Sequence, residues 1–382
     1  MISSVAHFAN TIIDRPGNIG VRTGKLIASH SQNGGTGICI CRASNSGCRG
    51  YKYYSMGILG NLPRILNALR MYCFSRFDHR YWDIKLFEAF TSSLFKAVAE
   101  ESPNIAHVWE VSPKIIRALR AIGLPVVLDV AIAPYTYVAR LHSKGLAGHL
   151  THSDRLMRLE LEAFKEADLI IVPSAFVMDE LGAAGIPVSK IRLIEFGVTI
   201  PELGTSIRRH RENISFGFVG VVNRRKGVDC LIDAWDSKLF ADDELVLCGR
   251  LHPDIKRKIG LLKFASNVTL PGFINPLEYF GRCDVFVFPS WSEGSAKAVL
   301  EAMAFGLPVI TTKSSGTVVR NGVDGFVVEP GDTAALRERM LWFKNNRAAI
   351  ATMGESARKR ACEFSWERYA SRVMKVYEEC LG

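Results

Sequence analysis

From about residue 100 onward, short apolar runs bounded by Gly, Pro or Asp alternate with stretches of roughly 10–15 residues that carry helical periodicity. Parallel strands need a crossover of about that length, and a helix supplies it, so the alternation restricts the chain to doubly wound α/β architecture. "IAHVWE" (105–110), "PVVLDV" (125–130) and "DLIIVPS" (168–174) read as strands, with helices over 113–122 and 153–167 between them. "IRLIEFGV" (191–198) leads into a polar, turn-rich linker, and a second series follows. Its six strand candidates are "ISFGFVG" (214–220), "ELVLCG" (244–249), "NVTLPGF" (267–273), "DVFVFPS" (284–290), "PVITT" (308–312) and "GFVVEP" (325–330). A chain of 382 residues exceeds one ordinary core, so two α/β domains are expected.

The formal charge of +10 favours an anionic partner: nucleic acid, a membrane surface or a phosphorylated substrate. Residues 1–98 hold 12 Lys and Arg against 4 Asp and Glu, so most of the excess lies in the first quarter. Within it, 62–98 interleaves Phe74, Phe77, Tyr81, Trp82, Phe87 and Phe90 with Arg76, Arg80 and Lys85. Such a stretch suits an anionic membrane surface, or else helices packed on the N-terminal sheet with a basic outer face. It lacks an RNA- or DNA-binding signature, so no nucleic-acid partner is expected. The N-terminus has no signal-peptide pattern and no apolar run reaches about 18 residues, so the expected location is cytoplasmic, at most peripheral to the inner membrane face. Nine scattered cysteines without a CxxC pair read as reduced thiols, not a metal site.

Ligands of parallel sheets sit beyond the carboxyl ends of the strands, where helix N-termini face anions. "PSWSEGSAKAVLEAMAFGLPVITT" (289–312) places Glu293, Gly294, Ser295 and Ala296 at that edge, before a helix beginning near Ser295. Glu301 lies about one and a half turns into this largely apolar helix and needs a hydroxyl or a cation; a ligand diol or a salt bridge inside the domain would serve. After "FGFVG", Arg224, Arg225 and Lys226 precede a helix starting near Gly227, and such a cation cluster suits a diphosphate. Gly249 and Arg250, then Gly272, Phe273 and Ile274, occupy the next two loops.

Together these residues resemble the donor-binding half of family-4 retaining glycosyltransferases of GT-B fold, which use a nucleotide sugar. The resemblance runs from "DLIIVPSAFV" through "KIRLIEFGV", "FVGVVNRRKGVDCLIDAW", the two-glutamate stretch and "NGVDGFVVEPGD" to "FSWERYASRVMKVYEECL" (364–381). It implies two Rossmann-like domains facing a cleft, an acceptor-binding domain over 1–197, a donor-binding domain over 198–363, and a C-terminal helix (364–382) crossing back to the first. A hinge near 198–212 and cleft closure on donor binding are implied too. By the same resemblance Glu293 holds hydroxyls of the transferred sugar and Glu301 the ribose, while Gly294, Ser295 and Ala296 offer N–H groups to sugar and phosphates. Lys226 matches the diphosphate lysine, and Phe273 with Ile274 the lining of the base. The basic residue expected after the first-strand glycine is replaced by Val221, leaving Arg224 or Arg225 to substitute.

The first half resembles the family more weakly. "PGNIGVRTGKLIASH" is similar to its glycine loop and first helix, which would place Asn18 and Gly20 over the donor phosphates with Arg22 nearby. Ala131 stands where a histidine is common, and Asp129, Glu110 or His107 are the candidates to replace it.

The expected activity is sugar transfer from a nucleoside diphosphate sugar, UDP- or GDP-linked, to a saccharide or lipid-linked saccharide acceptor in cell-envelope polysaccharide assembly. Lys226, Glu293 and Arg225 form the expected catalytic group of this hexosyltransferase-type reaction. No cofactor or metal is expected, since cations and a helix N-terminus meet the leaving-group charge and the chain has no Asp-x-Asp. A sugar phosphorylase, a nucleotide-sugar epimerase or a non-catalytic nucleotide-sugar binding protein are the alternatives on this fold.

Overall fold

The computed structural model describes residues 2–13, 18–44, 47–56, 79–150, 152–202, 213–261, 267–273 and 275–382. It divides into two compact units, the first comprising Met1–Ser143, Thr151–Glu195 and Trp366–Gly382, the second Lys144–Leu150 and Phe196–Ser365. Lys144–Leu150 thus groups with the second unit although its neighbours in sequence belong to the first.

The first unit is built on a parallel sheet of seven strands among the described residues: β1 (Ser4–Ile13), β2 (Thr36–Ser44), β3 (Tyr51–Ser55), β4 (Ile105–Val108), β5 (Val126–Asp129), β6 (Leu169–Val172) and β7 (Ile191–Leu193). Their order is β3-β2-β1-β4-β5-β6-β7. β4, β5 and β6 are buried along their whole length, which is why they read as unbroken apolar runs. Ser112, Ser153 and Ser174 each accept a hydrogen bond from the N–H three residues on and so cap the helices Pro113–Ala121, Asp154–Glu166 and Ala175–Ala183.

The helix Trp366–Leu381 completes this unit. Its buried residues Tyr369, Ala370, Val373, Val376 and Tyr377 recur at helical spacing and join a core with Val5, Ala9, Ile105 and Val127. Of the aromatic, basic stretch 62–98, residues 62–78 lie outside the described residues. In the helix His79–Ser92, Ile84 and Phe87 are fully buried while Trp82 is 49% exposed, so packing takes one face and leaves the tryptophan outside. Among the described residues no helix is long and apolar enough to cross a membrane.

The second unit has a parallel sheet of β8 (Ser215–Val219), β9 (Glu244–Cys248), β10 (Val268–Gly272), β11 (Val285–Phe288), β12 (Val309–Thr312) and β13 (Gly325–Val328), the six strands expected from the sequence. The order β10-β9-β8-β11-β12-β13 means that the chain moves outward from β8, then returns to its other side at β11. The crevice between the carboxyl ends of β8 and β11 is therefore the switch point of this sheet, where such folds take ligands.

Candidate functional site

Two loops flank that crevice, 220–227 after β8 and 289–296 after β11. The first packs so closely on its neighbours, the loop after β11 and the end of β9, that glycine is obligatory at two positions. Gly227 has φ +69°, and a Cβ there would lie 1.9 Å from the Pro289 carbonyl oxygen; a Cβ on Gly249 (φ +140°) would lie 1.7 Å from that of Gly220. A backbone bond joins the two loops, Trp291 N–H donating to Arg225 O (2.9 Å), and within the first loop the Asn223 side-chain Oδ1 accepts from Lys226 N–H (3.0 Å).

The charged groups meet at Glu293. Its Oε1 accepts from Lys226 Nζ at 2.7 Å, Arg225 Nη1 at 2.9 Å and Ser290 Oγ at 3.2 Å. Arg225 Nη1 also donates to Ser292 O (2.6 Å), and Lys226 Nζ lies 4.9 Å from the centre of the Phe288 ring. Burial alone would raise the Glu293 pKa, but Lys226 and Arg225 outweigh it and hold the carboxyl below its ordinary range. For Lys226 burial wins: its pKa is lowered despite Glu293, with Arg225 adding repulsion. The cluster is thus two cations on one carboxylate, an excess of positive charge held at a strand end with little water around it.

Lys226 and Arg225, expected to be catalytic, thus both meet the third such residue, Glu293. The expected donor-binding residues are placed less uniformly. Glu301 is the fifth residue of the helix Lys297–Ala304 and pairs with Lys297 at 2.9 Å, one turn back, so a cation of its own helix answers its charge. Gly294 is buried and Ser295 half-buried, but the Ala296 N–H already donates to Ser315 O (2.9 Å), which corrects the expectation that it faces a ligand. Arg224 turns to Asp229 (3.2 Å). Arg250 is exposed beyond β9, and Phe273 is 85% exposed after β10. Ile274 lies outside the described residues, as do 203–212 of the expected hinge.

Sequence reasoning missed the supports of this cluster. Ser290 Oγ touches Glu293, and the Ser290 carbonyl accepts from Thr312 Oγ1 (2.6 Å) and Ser314 Oγ (2.7 Å), so the end of β12 braces the loop after β11. The hydroxyl-rich "TTKSS" (311–315) was the available signal.

In the first unit, Asn18 and Gly20 lie in the first turn of the helix Asn18–Gln32, Gly20 buried. Arg22, expected near phosphates, is only 1% exposed: it pairs with both carboxylate oxygens of Asp129 and lies over the rings of Trp109 and Tyr369. His107 is buried too, its Nδ1 2.5 Å from the Tyr377 phenol oxygen Oη and its ring stacked on Trp109. Glu110, at the end of β4, is held by Asn10 (2.9 Å) and by the partly exposed Arg80 (2.7 Å). Of the three candidates to replace the missing histidine, Asp129 and His107 belong to the core, and Glu110 alone has a partner that reaches the surface.

Residues 213–346, most of the second unit, match the family described as Glycosyl transferases group 1. An uncharacterized glycosyltransferase of Methanocaldococcus jannaschii is 34% identical over 176 residues, 43% of this chain and 48% of its own length. The chain thus spans about half the length of such curated relatives. Among solved structures, sucrose-phosphate synthase from Thermosynechococcus elongatus superposes with a TM-score of 0.76 at 17% identity, over 99% of this chain and 98% of its own. Anabaena HepE in complex with UDP and glucose gives 0.69 at 17% identity, over 98% and 99%. At such identities the likeness speaks for the fold, two parallel-sheet α/β units of GT-B type.

Proposed function

We propose that the protein is a glycosyltransferase that moves a sugar from a nucleoside diphosphate sugar to an acceptor hydroxyl, retaining the anomeric configuration. The observation that carries this reading is the convergence of Lys226 and Arg225 on Glu293 at the switch point of the second sheet, inside the stretch that matches Glycosyl transferases group 1. Breaking the anomeric C–O bond leaves the electron pair on the diphosphate, and cations fixed beside it favour the transition state over the ground state. That answers the leaving-group charge without a metal. Glu293, held ionised, accepts hydrogen bonds from sugar hydroxyls and has no proton to give, so it is not the general acid. The acceptor proton passes to a departing phosphate oxygen as the new glycosidic bond forms on the same face. HepE binds UDP and glucose, which favours a UDP-linked hexose as donor.

A thermal-shift panel of UDP-, GDP- and ADP-sugars, followed by NMR of the product anomer and assay in EDTA, tests the reading. Stabilisation by one nucleotide class and a retained anomer are expected; an inverted anomer, or loss of activity in EDTA, would remove retention or metal independence. Hydrolysis or epimerisation without acceptor would replace transfer.

Glu301 is proposed to bind the ribose. Glu301→Ala should raise the Kd for UDP roughly 10- to 100-fold, the worth of a hydrogen bond to a charged group. Because the ionic partner of Glu301 among the described residues is the exposed Lys297, stability should change by less than about 0.5 kcal/mol. Calorimetric titration of UDP gives the answer, and an unchanged Kd rejects the assignment.

The acceptor is proposed to be a saccharide, lipid-linked and met at an anionic membrane surface. The half-exposed Trp82 and the concentration of positive charge in residues 1–98 support this. The protein should sediment with phosphatidylglycerol-containing liposomes at low salt and be released at high salt. Failure to sediment would end the membrane part of the proposal.

A further inference from the structure

The connection between the helices Tyr135–Ser143 and Asp154–Glu166 carries a short segment, Lys144–Leu150, that packs with the second unit. Leu150 and Ala147 are buried, and the Leu150 N–H closes a turn on Ala147 O at 2.8 Å. Ala147 sits at φ +51°, a left-handed conformation that costs a residue with a Cβ about 1–2 kcal/mol. The surroundings therefore hold this turn in place, and it presents His149.

His149 reaches both loops of the candidate site. Its ring packs edge-to-face on Trp291, with centroids 5.6 Å apart and planes at 74°. The ring also faces the main chain of Arg224 as a hydrogen-bond donor, and its Nε2 is buried. Arg224 opens the turn that carries Arg225 and Lys226, and Trp291 lies two residues before Glu293. Arg225 O accepts from Trp291 N–H, so the imidazole spans a pair of loops already joined by one backbone bond.

We propose that His149 is a positioning residue for the Lys226–Arg225–Glu293 cluster, tying the loop after β8 to the loop after β11. The inference rests on the glycosyltransferase reading. A shift of about 1 Å in such a cluster is enough to lower turnover 100-fold, so a tie of this kind acts on catalysis without touching the substrate. The groups facing the ring set its protonation. Burial lowers its pKa first, Asp229 and Asp254 oppose that, and the Arg224 cation adds to it. His149 is therefore neutral at pH 7. Protonation in acid would place a second cation beside Arg224 and compete with it for Asp229, whose Oδ1 is itself buried without a partner.

Two variants separate this role from simple packing. His149→Phe keeps a ring against Trp291 but cannot bond Arg224. His149→Asn keeps an amide donor for the Arg224 main chain but does not titrate. Release of the nucleoside diphosphate is measured from UDP-, GDP- and ADP-glucose, together with thermal melting and the Kd for UDP. His149→Phe should lose about tenfold or more in kcat with its Kd for UDP within threefold of wild type, while His149→Asn retains most of the turnover at pH 7. Wild type should lose activity only in acid, at a pH lower than the ordinary imidazole value near 6.5, and His149→Asn should lack that acid limb. Wild-type kcat in His149→Phe, or equal damage in both variants, overturns the role of His149. A wild type inactive on all three sugars overturns the glycosyltransferase reading instead.

Discussion

Replacing Lys226 with alanine should lower turnover about 10²- to 10³-fold, the effect of removing one fixed stabiliser of developing negative charge. The lysine has a single ionic partner in the cluster, Glu293 at 2.7 Å, and its side chain is only 15% exposed. Water that fills the vacated space would screen the leaving group but would have to reorganise as the bond breaks, which the fixed ammonium does not. Arg225 remains on Glu293 in the variant, so the carboxylate is not abandoned and the second unit should still fold. The Kd for UDP should rise less than kcat falls, because the charge on the diphosphate grows toward the transition state. Single-turnover kinetics beside a melting curve make the measurement, and a variant with wild-type kcat removes Lys226 from the catalytic group.

Asp129→Ala should destabilise the first unit by about 3–5 kcal/mol, because it leaves a guanidinium buried with its carboxylate gone. Arg22 is 1% exposed and enclosed by Trp109 and Tyr369, so it has no route to water without opening the contact between the sheet and the helix Trp366–Leu381. Removing both charges, as in Arg22→Met with Asp129→Leu, should recover most of that loss, since a well-packed apolar pair replaces a buried ion pair at little net cost. Urea unfolding of the two singles and the double variant closes the cycle. A single-variant loss below about 1 kcal/mol would show that the pair does not hold the unit together.

The same network makes the first unit sensitive to acid. Burial lowers the pKa of His7, with His107 and His30 adding to it, and burial lowers that of His107 as well. A histidine kept neutral in the fold contributes its full share above the unfolded value near 6.5, and the share is lost as pH falls below it, because the unfolded chain takes up the proton first. Asp129, whose folded pKa is lowered although burial opposes this, adds a further loss only as pH falls from about 4 through its folded value.

The strands were legible in the sequence because central parallel strands have no solvent face, and an unbroken apolar run such as "DVFVFPS" leaves few other readings. The meeting of Lys226 with Glu293, 67 residues apart, was legible for a different reason: strand order alone sends both loops to one crevice. Partner choice was not. Glu301 had a lysine one turn away at position 297, but periodicity does not say whether a charged pair closes on the helix surface or opens to a ligand. Arg22 and Asp129, 107 residues apart, find each other only once the helix Asn18–Gln32 lies beside the end of β5. A loop such as Lys144–Leu150 has no period at all, so its place with the second unit left no trace in the pattern.

The membership of Trp366–Gly382 in the first unit has a consequence for synthesis. Ribosomes deliver the sheet β1–β7 first, but Tyr369, Val373 and Tyr377, which cover Val5, Ile105 and Val127, emerge only after the whole second unit. Domains generally fold as they appear, N-terminal first. Here the later unit can close from a nearly continuous stretch while the earlier one waits with an apolar flank uncovered. The nascent chain is then most prone to aggregate in the interval between completion of β7 and arrival of the last helix, and a chaperone that shields that flank would act on the half of the protein made first.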